Sequence, residues 1–88
     1  MKVKVLYFAS LREQLGKSAE EVDLPPQAST LAALRAHLIG RGGSWETALA
    51  EGRPVRMAIN QDMVPRASKD VPIKAGDEVA FFPPVTGG

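Results

Sequence analysis

Few side chains in this 88-residue sequence could perform chemistry at their own functional groups. There is no cysteine, which excludes thiol nucleophiles, disulfides and thiolate metal ligands. The only histidine, His37, lies in a helix-like stretch and cannot build a metal site unless the fold places carboxylates beside it. Ser10 and Glu13 match a capping box, which predicts a role at a helix start. Catalysis by side chains of this chain is therefore not expected.

Two pairs of adjacent acids and one glycine-rich stretch are not convincing candidates for a catalytic or phosphate-binding site. Neighbouring residues of a strand point to opposite sides, so residues 20–21 (EE) and 77–78 (DE) are not poised as acid–base pairs. Residues 40–43 (GRGG) lack the spacing and the Lys-Ser/Thr ending of a phosphate-binding loop, and are interpreted as a connection between helices. We predict that this chain binds no metal and no cofactor.

The last residues, 81–88 (FFPPVTGG), combine features that suit a reactive end. Gly87 and Gly88 lack a Cβ, so their backbone can enter a narrow channel of another protein. The six residues after Phe82 can reach roughly 20 Å when extended, and two successive prolines favour an extended arm. Frayed chain ends are usually polar, whereas residues 81–85 (FFPPV) are apolar, which fits docking on a partner. We therefore expect the Gly88 carboxylate to be a substrate delivered to a partner's active site.

A carboxylate needs a better leaving group before it can react. Adenylation by ATP supplies that group, and a sulfur donor can then displace AMP to leave a thiocarboxylate on Gly88. This route carries sulfur without any cysteine in the carrier, which agrees with the composition.

The charge balance and the hydropathy pattern exclude other classes of partner. Lysine and arginine number 11 and aspartate and glutamate 10, with no basic stripe, so nucleic-acid binding is not expected. No stretch is long enough in apolar residues to be a signal peptide or to span a bilayer. We expect a cytoplasmic, soluble protein without a membrane partner.

Alternating apolar residues predict the strands of one α+β domain. The alternation covers residues 2–8, 20–24, 55–60 and 78–82, and a short strand is expected at 63–64. The first and last strands are the most hydrophobic, so we place them side by side at the centre of a mixed sheet of about five strands. With one main helix across a sheet face, this is a β-grasp, or ubiquitin-like, roll over residues 1–82, followed by an extended tail over 83–88.

Three helices are predicted between the strands. The main helix begins after Ser29 or Thr30 and runs to about residue 39, with a buried stripe at residues 31, 34 and 38. Ser10 and Ser44 are predicted to cap two short helices.

The residues that suggest a family lie mostly at the end of the chain. Residues 76–88 (GDEVAFFPPVTGG) closely resemble the C-terminus of the small subunit of molybdopterin synthase, the MoaD family. Residues 5–13 (VLYFASLRE) and 58–61 (AINQ) also resemble that family, and residues 30–35 (TLAALR) occupy the expected place of its helix. The resemblance covers essentially the whole chain.

The resemblance implies a reaction sequence on two partners. An E1-like adenylating enzyme of the MoeB type, which uses ATP, would activate Gly88, and a sulfur-transfer system would convert it to the thiocarboxylate. The carrier would then insert its tail into the large subunit, of the MoaE type, and give its sulfur to cyclic pyranopterin monophosphate. A heterotetramer of two small and two large subunits is expected, with most catalytic side chains on the partner.

The resemblance and the tail chemistry assign roles to individual residues. Gly88 carries the sulfur and Gly87 permits passage through the partner's tunnel. Phe82 is expected to anchor the interface at the root of the tail, although a core position is the alternative, because only one of Phe81 and Phe82 need be buried. The other residues predicted at the partner interface are Pro83, Pro84, Val85, Met63 and Arg12. Arg12 is expected either to pair with an acid of the partner or to lie solvated on a helix.

Three other functions remain open from the sequence. The same tail reaction would serve a sulfur carrier for thiamine (thiazole) synthesis or tRNA thiolation. A modifier of the ubiquitin type would be joined through Gly88 to lysines of other proteins. A β-grasp interaction module with an inert tail would not need Gly87 or Gly88.

Overall fold

The computed structural model describes residues 1–50, 52–65 and 71–83, and over these ranges it contains five strands and three helices. The strands are β1 (Lys2–Tyr7), β2 (Ala19–Asp23), β3 (Arg56–Ile59), β4 (Asp62–Met63) and β5 (Glu78–Phe82). The helices are α1 (Ala9–Leu15), α2 (Leu31–Ile39) and α3 (Gly43–Leu49). In this part of the chain, no helix is long and apolar enough to cross a membrane.

The strands form one mixed sheet in the order β2-β1-β5-β3-β4. The first and last strands are parallel neighbours at its centre, with Val5 opposite Val79 and Tyr7 opposite Phe81. All other strand pairs are antiparallel. The predicted β-grasp arrangement is confirmed, and it places the end of β5, where the tail begins, beside the end of β1.

The core lies between one face of the sheet and the helices. Val3, Val5 and Tyr7 of β1 are buried, as the alternation of that strand predicts. The helical stripe is also confirmed, because Leu31, Leu34 and Leu38 are fully buried. Both sides of this core are aliphatic and aromatic, so β5 is fixed by packing as well as by hydrogen bonds to its two neighbours.

The start of α1 differs from the predicted capping box. The helix begins at Ala9, its N-cap is Phe8, and no side chain caps it, so Ser10 lies inside the first turn. The reason is that pairing with β5 continues to Phe8, whose N–H donates to the Phe81 carbonyl at 3.2 Å. Ala9, at φ +52°, then turns the chain directly into the helix, two residues too early for Ser10 to act as the cap.

Of the other two helices, α2 begins at its predicted cap and α3 does not. Thr30 is the N-cap of α2, and its Oγ1 accepts a hydrogen bond from the Ala33 N–H at 3.1 Å, as predicted. The predicted cap of α3 is wrong, since Gly42 is the N-cap and Ser44 lies within the helix. Gly42 has φ +76°, a conformation that serine rarely adopts, so the turn is made two residues before the expected cap.

Arg35 is buried on α2 and joins that helix to the segment that follows α3. Its Nε–H donates to the Leu49 carbonyl at 2.7 Å, and Nη2 donates to the carbonyls of Ala50 and Arg53 at 2.7 and 3.0 Å. The guanidinium therefore satisfies backbone carbonyls where the chain leaves α3 and returns toward β3.

Arg35→Met is expected to lower the free energy of unfolding by about 2–4 kcal/mol, because several carbonyls lose a charged donor. Urea unfolding at neutral pH measures this change. Arg35→Lys is the matched control, since it keeps the charge but not the planar fork, and we expect a stability between the other two proteins. A Met variant as stable as the wild type would contradict this role.

Candidate functional site

The root of the tail lies at the end of the central strand β5. Phe81 is fully buried on the core face, where its ring stacks on that of Tyr7 with 6.1 Å between centroids. Phe82 points to the opposite face and is partly exposed. The expectation that only one of these two phenylalanines is buried is confirmed, and the exposed one is Phe82. Pro83, the last described residue of the chain, follows it directly.

Phe8 is the residue at this site that the sequence analysis missed. Its ring stacks on Phe82 with 4.8 Å between centroids and an angle of 6° between planes, and 40% of Phe8 is exposed. Tyr7 faces the core, so the next residue along the chain must face away from it. The signal was present in the sequence as an apolar residue at the end of the outer face of β1, on the strand placed beside β5.

Small and flexible apolar side chains continue this surface across the open face of the sheet. Leu6, Ala80, Ala58 and Met63 stand opposite one another in one row of the strand register. The two alanines are nearly inaccessible, whereas Met63 is 52% exposed. We call the open-face patch the set Leu6, Phe8, Ala58, Met63, Ala80 and Phe82. Exposed apolar surfaces of this kind mark sites of protein–protein contact.

The predicted interface residues do not all meet in one place. Met63 and Phe82 both belong to the open-face patch. Pro83 instead lines a cleft of about 250 Å³ together with Leu11 and Gln14 of α1. Arg12 is exposed on α1, outside the patch. Pro84, Val85, Gly87 and Gly88 lie outside the described residues, and the roles of all the named residues stay predictions.

A second cluster of polar groups lies on the core side of the sheet. The Tyr7 hydroxyl donates to Glu20 Oε2 at 2.7 Å, and Arg41 donates to both Glu20 oxygens at 2.9 and 3.0 Å. The Arg41 guanidinium also lies 4.4 Å above the centre of the Trp45 ring. These contacts tie β1 and β2 to the start of α3.

The electrostatics of this cluster indicate a structural role. Burial opposes ionisation of Glu20, but the hydrogen bonds from Arg41 and Tyr7 outweigh it and hold the pKa of this carboxyl below its ordinary value. Burial, together with the neighbouring Glu20 carboxylate, raises the pKa of Tyr7 well above its usual range. Glu20 is therefore ionised and Tyr7 neutral at neutral pH, so neither is poised to exchange protons there.

Stability is expected to fall in acid as Glu20 becomes protonated. Because the pKa of Glu20 is depressed by folding, its contribution is fully present above the pKa of the unfolded chain and is lost as the pH falls through the folded-state pKa. Urea unfolding over a pH series measures this loss. Glu20→Gln should be less stable at neutral pH and should show a flatter pH profile.

The pH experiment on Glu20 must also account for the titration of Asp23. Its pKa is also lowered, by a hydrogen bond from the N-terminal amine, so it titrates in the same direction. Comparing Asp23→Asn with the double variant Asp23→Asn/Glu20→Gln isolates the contribution of Glu20. Parallel pH profiles for these two proteins would contradict the proposed role of Glu20.

Within residues 1–50, 52–65 and 71–83, no three histidine or acidic side chains gather as metal ligands. His37 is exposed on α2, which agrees with its interpretation as an ordinary helix residue. What the described surface does present is an apolar face for docking, with the start of a C-terminal tail at its edge. Fold and site together define a ubiquitin-like β-grasp protein with an apolar patch on the open face of its sheet.

Comparisons with known proteins narrow this class. The ThiS family model matches residues 5–88. The chain is 48% identical over 88 residues to the molybdopterin synthase sulfur carrier subunit of Escherichia coli (strain K12), covering 98% of this chain and 99% of the relative. It is 44% identical over 86 residues to the same subunit of Haemophilus influenzae, with 98% and 99% coverage.

A solved structure agrees with these matches. The crystal structure of SAMP1 from Haloferax volcanii superposes with a TM-score of 0.79 at 26% identity, covering 100% of both chains. The chain therefore belongs to the ThiS family, and among its members it belongs with the molybdopterin synthase sulfur carrier subunits. The family predicted from the sequence is confirmed.

Proposed function

We propose that this protein is the sulfur carrier of a molybdopterin synthase, and that the Gly88 carboxylate is the group that carries the sulfur. The names of relatives that match over nearly their whole length support the proposal. The observation that carries it is the open-face patch, because its aromatic pair Phe8 and Phe82 stands at the end of β5, six residues before Gly88. A partner that covers this patch would also receive the tail.

The proposed loading reaction takes place at the carbonyl carbon of Gly88. A carboxylate oxygen attacks the α-phosphorus of ATP on an E1-like activating enzyme, and pyrophosphate leaves. Sulfur at the level of hydrosulfide then forms a bond to the acyl carbon, AMP leaves with the bonding electrons, the S–H proton is lost, and Gly88 becomes a thiocarboxylate. The carrier contributes the acyl group and the docking surface, while ATP and the activating side chains belong to the other enzyme.

Delivery would follow in the active site of the large subunit. The thiocarboxylate sulfur displaces an oxygen from a carbon of cyclic pyranopterin monophosphate, and that oxygen leaves with the bonding electrons. Water then adds to the Gly88 acyl carbon and the sulfur leaves it as a thiolate on the pterin, which restores the carboxylate. A dithiolene contains two sulfurs, so each product uses two loaded carriers, consistent with a synthase of two small and two large subunits. The open-face patch contains no titratable side chain, so the side chains for this step are assigned to the partner.

Intact-mass spectrometry tests the loading step. Incubation with ATP, the activating enzyme and a sulfur source should raise the mass by the difference between sulfur and oxygen, with the change located on Gly88. The loaded carrier should then convert cyclic pyranopterin monophosphate when the large subunit is added. Loading without conversion would reject the molybdopterin role and favour a carrier for thiamine or tRNA thiolation.

A protein modifier is the second candidate, since SAMP1, a small archaeal modifier protein, has the same fold. Immunoblots of cell lysate separate the two functions. High-mass conjugates that disappear when Gly88 is deleted would favour the modifier, whereas a single free band favours the carrier.

A further inference from the structure

Arg56 is a charged residue at the aromatic end of the open-face patch. It begins β3 and stands opposite Phe82 in the strand register. Residues directly opposite in neighbouring strands project from the same face, with their Cβ atoms about 5 Å apart. Phe82 in turn stacks on Phe8. The guanidinium of Arg56 therefore borders the surface from which the tail departs.

The Nε–H of Arg56 is buried and has no hydrogen-bond partner. Among the described residues, no other buried side-chain nitrogen or oxygen atom lacks a partner. A buried donor without an acceptor destabilises the fold, so such a group calls for a physical explanation. Arg35 shows the alternative within the same chain, because its guanidinium donates to backbone carbonyls.

Among the described residues, no acid stands opposite Arg56 or Phe82 in the strand register. Glu78 lies on the same face of β5 but is separated from Phe82 by Ala80, and stands opposite Lys4. None of the salt bridges among the described residues involves Arg56. The missing acceptor must come from outside the described chain if the donor is to be satisfied.

We propose that the large subunit of the synthase places a carboxylate, from an aspartate or glutamate, against Arg56 beside the Phe8–Phe82 pair. The proposal rests on the proposed function, because it names a contact of the same docking face. A carboxylate that approaches an arginine side-on accepts from Nε and one Nη together, and this mode uses the donor that is unsatisfied in the free carrier. The apolar surroundings favour a protein partner over a nucleic acid.

The contact would fix the orientation of the carrier as well as add affinity. An apolar patch alone permits sliding and rotation on a partner, whereas a bidentate ion pair has one geometry. Because Arg56 stands opposite Phe82, the pair would set the direction in which the tail enters the partner. The subunit complex is the better candidate for this contact than the activating enzyme, since a lasting interface can exclude water from the pair.

Arg56→Gln tests the proposal against Lys4→Gln, which removes the same charge from the same face away from the aromatic pair. Titration calorimetry of the full-length carrier with the large subunit should show affinity reduced by roughly 10- to 100-fold for Arg56→Gln and nearly unchanged for Lys4→Gln. The salt dependence of binding should also weaken in Arg56→Gln only. Equal affinity of wild type and Arg56→Gln would overturn the inference, as would a loss seen with the activating enzyme and not with the large subunit.

A stability measurement separates this role from a structural one. Arg56→Leu removes the unsatisfied donor, so the free carrier should keep or gain thermal stability while its affinity for the large subunit falls. A variant that loses stability and affinity together would show that Arg56 supports the fold instead.

If wild-type carrier does not bind the large subunit at all, the proposed function fails along with the inference. If wild type binds and delivers sulfur but Arg56→Gln binds equally well, only the inference fails.

Discussion

Deleting Gly88 is expected to abolish sulfur delivery and to leave the free energy of unfolding unchanged. The deletion leaves the terminal carboxylate on Gly87, about 3.5 Å short of its normal position along an extended arm, where the proposed loading and delivery steps cannot reach it. Stability should not change, because the buried core cluster of the described residues ends at Phe81. Intact-mass analysis, conversion of cyclic pyranopterin monophosphate and urea unfolding of the same preparation measure the three quantities.

Adding one alanine after Gly88 is the matched variant, since it keeps a terminal carboxylate but moves it by about 3.5 Å along an extended arm. A displacement of about 1 Å can already cost about 100-fold in rate, so delivery should be lost here too. Normal cofactor synthesis in either variant would reject the mechanism and leave the open-face patch as a plain interaction surface.

The second large effect is expected at the aromatic pair. Phe82→Ala should weaken binding to the large subunit by about 2–4 kcal/mol, because aromatic residues at the centre of an interface carry much of the binding energy. Phe8→Ala should have a comparable effect, since each ring holds the other in place. Titration calorimetry measures the affinity, and sulfur delivery at rising carrier concentration shows whether the chemistry survives.

Met63→Ala is the control within the patch. Met63 is 52% exposed at the end of the row of small residues, away from the tail root, so a smaller loss is expected. Delivery by Phe82→Ala should recover at high carrier concentration, because docking and not chemistry is impaired. A loss that no concentration restores would assign Phe82 a role in guiding the tail, and an unchanged affinity would remove it from the interface.

These variants distinguish the proposed role of the terminal glycine from that of the open-face patch. Variants at Gly88 should dock normally and fail to deliver, whereas variants of the patch should deliver normally once docked. Arg35 and Glu20 form a third group, where stability changes without a direct effect on either step. The proposed carrier therefore predicts three distinguishable classes of variant.

Local patterns predicted the elements of the fold, and the strand order followed from them. Alternation in β1 and the leucine stripe of α2 each placed residues correctly in the core. Thr30 was predicted as a cap, because its side chain needs only the backbone three residues later. The caps at Ser10 and Ser44 were wrong, since the adjoining strand at Phe8 and the left-handed turn at Gly42 determine where those helices begin.

The sequence by itself determined the proposed chemistry, because a terminal glycine pair and the absence of cysteine are properties of the chain and do not depend on its folding. The tertiary structure alone decided which residues surround the tail root. Phe8, Arg56 and Phe82 are distant in sequence and become neighbours only through the pairing of β1, β5 and β3. A contact between strands depends on register, and register is set by burial of the whole sheet rather than by any local pattern.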